Sequence, residues 1–137
     1  MAIPLFASSL APYQDAIADK LREVAASGRY ILGPEVKAFE DEFAAWLGSA
    51  HCVGVGNGTD ALQIALRAAG VGPGDDVVMP SLTFYATAEA AANLGARPVF
   101  CDVDPETFLA TADSVRSVLT PRTKSHTAPM TINAATA

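Results

Sequence analysis

The chain has 137 residues, half of them hydrophobic and 18% charged, with a formal net charge of −6. That length is one domain's worth and can bury a core, and the composition is globular rather than disordered. An acidic balance without a basic cluster excludes nucleic acid as an expected partner, and no stretch approaches the length of a membrane span. Cys52 and Cys101 are far apart, each in a predicted strand, which reads as buried free thiols in a reducing cytosol. His51 and His126 form no metal-ligand spacing with them, so no metal is expected. The start, Met1 to Pro4, lacks the basic residue and long apolar run of a secretory leader. The expected location is cytoplasmic.

In chain order, residues 13–27 place Tyr13, Ile17, Leu21 and Val24 on one helical face, with Gly28 as the stop. A second helix starts at Gly33-Pro34. Its apolar stripe, Val36, Phe39, Phe43, Trp46 and Leu47, reads as core, and Gly48 ends it. Residues 52–55 read as a strand. Helix 61–69 is apolar almost all round and is expected to be buried. Residues 77–79 read as a strand closed by Pro80, 83–94 as an alanine-rich helix, 99–103 as a strand, and 112–119 as a helix. Apolar strands alternating with helices predict an α/β fold: a partial three-layer α/β/α domain with a mostly parallel sheet. Residues 125–137 carry no charge and no period, so a poorly ordered tail is expected after a folded 1–124. The chain reads as stopping inside a larger unit.

One turn carries chemistry. Gly54-Val55-Gly56-Asn57-Gly58-Thr59-Asp60 joins the first predicted strand to a helix. A glycine-rich turn at a helix N-terminus presents free backbone N–H groups to a phosphate. Asn57, Thr59 and Asp60 suit turn and cap positions, and the Thr59 hydroxyl adds a donor. Taken alone, the same turn equally suits a connection that binds nothing. A dinucleotide fingerprint would need glycine where Thr59 stands, and a mononucleotide loop would need a lysine that is absent between Lys37 and Lys124. A phosphate on another small molecule fits better.

Four segments, in this order, resemble the DegT/DnrJ/EryC1/StrS-type sugar aminotransferases, pyridoxal-phosphate enzymes of fold type I. They begin at Gly28-Arg29-Tyr30-Ile31-Leu32-Gly33-Pro34, Gly56-Asn57-Gly58-Thr59-Asp60-Ala61-Leu62, Pro80-Ser81-Leu82-Thr83-Phe84-Tyr85 and Val99-Phe100-Cys101-Asp102-Val103-Asp104. The resemblance covers about residues 3–124. It implies the N-terminal helices, 12–48, and the start of the large cofactor-binding domain, 49–124, of such an enzyme. It implies that Gly58, Thr59 and Asp60 hold the phosphate of pyridoxal phosphate and that Phe84 stacks on its ring. Read without it, Phe84 would be core. Tyr30, Ile31 and Gly33 match a segment near the family's active site, and Tyr85 and Thr87 are near-site candidates.

The resemblance also places the lysine that forms a Schiff base, and the acid that pairs with the pyridine nitrogen, further along than this chain extends. No catalytic residue is therefore expected here, and the chain alone is expected to be inactive. The full-length relative would move an amino group, from glutamate in this reading, to a nucleotide-linked keto sugar, as a homodimer. A pyridoxamine-dependent sugar dehydratase of the same family and a non-catalytic remnant are the alternatives.

Overall fold

The computed structural model describes residues 10–124, and the tail at 125–137 lies outside them. The chain divides into two compact units at Gly54. In the first, a 3-10 turn at Ala11–Tyr13 leads into α1 (Gln14–Ser27), and α2 spans Pro34–Leu47. Gly28 and Gly48 close these helices with φ of 67° and 68°, the left-handed cap that lacks a penalty only for glycine. The expected ends of both helices are met. The expected burial of the α2 stripe is not. Phe39 and Trp46 are 55% and 77% exposed, and among the described residues of α2 only Ala44 is buried. The aromatics stack along their own helix instead, Phe39 on Phe43 and Phe43 against Trp46, both at 5.5 Å. Two short helices supply too little surface to enclose them.

The second unit runs α3 (Gly58–Ala68), β1 (Asp76–Pro80), α4 (Ala86–Asn93), β2 (Arg97–Cys101) and α5 (Ala112–Ser117). β1 and β2 pair in parallel with Met79 opposite Phe100 and Asp76 opposite Arg97. The crossover through α4 is the expected βαβ arrangement. Both faces of the sheet carry buried side chains, Met79 on one and Asp76 and Cys101 on the other. α4 packs on both strands, and its Ala86, Ala90 and Ala91 are buried. Alanine methyls let its backbone come close to the sheet.

Three expectations are corrected. Residues 52–55 form no strand, because the β1–β2 ladder does not reach them; the Gly54 N–H instead donates to the Glu40 carboxylate at 2.7 Å. Strand 99–103 begins earlier and stops at Cys101, after which Val103 makes a lone antiparallel bridge to Ala110. α3 has no buried residue, and its Ile64 is 56% exposed, since α4 is its main packing partner among the described elements. The chain does approach a further strand at its end, where Thr123 bridges Asp76 in parallel.

Gly95 ends α4 with a φ of 76°, and a Cβ there would meet Pro73 Cγ at 3.0 Å. Gly95→Ala is expected to cost about 1–3 kcal/mol, read as a lowered melting temperature by circular dichroism. Gly72→Ala meets nothing within 4 Å and serves as the near-neutral control.

Candidate functional site

The start of α3 is built by Asn57. Its backbone is extended, φ −164° and ψ 174°, and it caps the helix. Its Oδ1 accepts the Asp60 N–H at 2.9 Å, and its Nδ2 donates to Asp60 Oδ2 at 3.0 Å. The Ala61 N–H donates to the Asn57 carbonyl at 3.1 Å. The remaining first-turn amides, Gly58 and Thr59, have no acceptor among the described residues. Space is open where a Gly58 Cβ would stand, with nothing within 4 Å. Two N–H groups without an acceptor at the positive end of a helix, with open space at Gly58, are what an anion requires. Asp60 was expected to share this role, but its N–H is committed to the cap. Its carboxylate is occupied by Asn57 Nδ2.

An open hollow of about 300 Å³ adjoins the turn, lined by Val55, Gly56, Asp60, Gln63 and Ile64. Gln63 was not singled out in the sequence. It lies three residues beyond Asp60, on the same helical face, and that spacing was the available signal.

Phe84 does not line this hollow. It lies after β1 in the loop leading to α4, 75% exposed, with its ring edge-on to Tyr85 at 5.6 Å. The loop is held by the Thr87 N–H on the Phe84 carbonyl at 3.0 Å and by the Thr83 and Thr87 hydroxyls, also 3.0 Å apart. A hydrogen bond to the Glu89 carboxylate pushes the Tyr85 phenol above its ordinary value. α3 packs against α4, and Leu94 at the end of α4 shares a hollow with Arg67 and Ala68 at the end of α3. The C-terminal ends of the two helices therefore lie together.

Tyr30, Ile31 and Gly33 belong to the first unit. The Tyr30 hydroxyl donates to the Ala25 carbonyl at 3.1 Å, and Ile31 is exposed. Gly33 caps α2 so tightly that a Cβ would stand 2.9 Å from the Arg29 carbonyl oxygen. No group of metal-ligating side chains occurs among the described residues, and no described helix is long and apolar enough to cross a membrane.

A turn that opens a helix with unbonded amides, in one unit with a parallel βαβ pair, is an α/β arrangement suited to a phosphate-bearing ligand. Residues 13–131 match the DegT/DnrJ/EryC1/StrS aminotransferase family, and the chain belongs to it. It is 48% identical over 111 residues to the UDP-2-acetamido-2-deoxy-3-oxo-D-glucuronate aminotransferase of Pseudomonas aeruginosa, covering 81% of this chain and 31% of that relative. It is 50% identical over 108 residues to the dTDP-3-amino-3,4,6-trideoxy-alpha-D-glucose transaminase of Micromonospora megalomicea, covering 79% and 29%.

Among solved structures, DesV of S. venezuelae, in complex with a ketimine intermediate, superposes with a TM-score of 0.76 at 43% identity, over 82% of this chain and 31% of that one. NtdA of Bacillus subtilis, with bound cofactor PMP, gives 0.79 at 30% identity, over 89% and 30%. The fold is that of the fold type I pyridoxal-phosphate aminotransferases. The chain spans about 30% of the length of these relatives.

Proposed function

We propose that this chain is the N-terminal, phosphate-holding part of a pyridoxal-phosphate-dependent aminotransferase that transfers an amino group from an amino acid, glutamate in this reading, to a nucleotide-linked keto sugar. The observation that carries it is the pair of amides at Gly58 and Thr59 that have no acceptor among the described residues, with open space at Gly58. In this reading residues 12–48 are the N-terminal helices and 49–124 the start of the cofactor-binding domain. The whole enzyme works as a homodimer in the cytoplasm. The free thiols of Cys52 and Cys101 are in keeping with that compartment.

The cofactor, when bound, supplies the electron sink of the reaction. This chain's residues supply binding and orientation. Gly58 and Thr59 donate their amides to the phosphate, the Thr59 hydroxyl gives a third hydrogen bond, and the Phe84 ring offers a flat face to an aromatic ring. Asn57 keeps the Asp60 carboxylate engaged, so that it does not face the anion alone. Tyr85 and Thr87 hold the Phe84 loop, and Tyr30, Ile31 and Gly33 contribute to the sugar side.

Three hydrogen bonds to a charged group contribute roughly 1.5–3 kcal/mol each, and one stacked ring adds about 0.5–1.5 kcal/mol. Association costs on the order of 4–15 kcal/mol. Net affinity of the 137-residue chain for pyridoxal phosphate is therefore expected to be millimolar or weaker. Equilibrium dialysis checks it. Thr59→Ala removes one charge-assisted hydrogen bond and should weaken binding about 10-fold or more. Binding that is unchanged by Thr59→Ala would remove the turn from the site.

A further inference from the structure

Asp76 is the buried charged residue among the described residues, 1% exposed, at the start of β1. Every polar atom it has is used. Arg97 Nε donates to Oδ1 at 2.9 Å and Arg97 Nη2 to Oδ2 at 2.7 Å, a bidentate pair across the β1–β2 ladder. The Thr120 hydroxyl donates to the same Oδ2, and Arg122 Nε lies 3.5 Å from it. Its N–H donates to the Arg122 carbonyl at 2.9 Å, and its carbonyl accepts from the Lys124 N–H at 3.3 Å. Asp76 thereby joins β1, β2 and the segment around Thr123, which bridges the edge of β1 away from β2.

We propose that Asp76 is a clasp, a buried carboxylate that fixes residues 120–124 in parallel register on the free edge of β1. Among the described residues the backbone contributes one bridge, Asp76–Thr123, and one bridge leaves a neighbouring register almost equally available. The side chain removes that freedom, because sliding the segment by one residue takes both Thr120 and Arg122 off the carboxylate. The charges facing it are Arg97 from β2 and Arg122 from the segment. Lys124 is drawn aside by Asp75 at 3.5 Å, and Asp75 also accepts the Gly72 N–H. Neutralising Asp76 therefore leaves two guanidinium groups together without their shared counter-ion.

The Arg97 and Thr120 hydrogen bonds hold the Asp76 carboxyl at about 2, below its ordinary 3.8. A carboxyl depressed in the folded state contributes stability above its unfolded value and loses it as pH falls through the folded one. The clasp is thus closed above pH 4 and opens toward pH 2.

The test is amide hydrogen exchange, read residue by residue by NMR on the 137-residue chain. In Asp76→Asn, protection of the Lys124 amide should fall about 10-fold or more, while the amides bonded between β1 and β2 keep theirs. Unchanged Lys124 protection in a folded variant would overturn the clasp. If Asp76→Asn does not fold, the unaltered chain decides the matter. On acidification its Lys124 protection should be lost before that of the β1–β2 amides. Simultaneous loss would overturn the proposal and reduce Asp76 to one contributor to global stability.

Discussion

Mixed with pyridoxal phosphate, glutamate and a keto acceptor, the 137-residue chain is expected to transfer no amino group faster than the free cofactor does. It has three lysines, and each amine faces carboxylate. Lys20 pairs with Glu23 and Glu35, Lys37 with Asp41, and Lys124 with Asp75. A lysine attacks a carbonyl only after losing its proton, which enzymes achieve by desolvation or a neighbouring cation. These lysines meet the opposite environment. Hydrogen bonds to Glu23 and then Glu35 push Lys20 above the ordinary lysine value. Lys20 and Lys37 also lie on exposed helix surfaces of the first unit. Assaying keto-acid release from glutamate, alongside the visible spectrum of the mixture, checks this. Turnover above free cofactor, or the band of a lysine-bound cofactor, would show that one of these three amines reacts.

The second large effect is expected in the core. Ala90 is fully buried where α4 meets the sheet and α3. Ala90→Phe adds a ring where a methyl fits, and overpacking costs about 1–3 kcal/mol, sometimes more. For a unit of this size each kcal/mol lowers the melting temperature by roughly 4–8 °C. Ala92→Phe, on the exposed side of the same helix, should change little. Equal melting temperatures for the two variants would mean that α4 does not pack as described.

The residues that were legible in the sequence act locally. Gly28 and Gly48 stop helices wherever those helices pack, and Asn57 caps α3 through bonds within its own first turn. The parallel sheet was legible because apolar strands alternated with a helix of the right length. What depends on distant partners was not legible. A strand at 52–55 needs a neighbour to pair with, and burial of Phe39 and Trp46 needs a covering surface. Neither is a property of the local sequence. The buried role of Asp76 was not legible, because its partners Arg97, Thr120 and Arg122 lie more than twenty residues away. Of the candidate site, the turn that opens α3 at Gly58 was legible from glycine and cap chemistry. The place of Phe84 rested on resemblance, since an aromatic after a strand ordinarily reads as core.

The central claim is that the Gly58–Thr59 amides are the phosphate-holding donors of this chain. It is tested most directly by titrating the isotope-labelled chain with pyridoxal phosphate, and separately with pyridoxal, while following backbone amide shifts by NMR. The account predicts that pyridoxal phosphate moves the Gly58 and Thr59 amides most, with Asp60 moving less because its N–H stays on Asn57, and that pyridoxal leaves all three nearly unmoved. Equal shifts with both ligands, or shifts that spare Gly58 and Thr59, would contradict it.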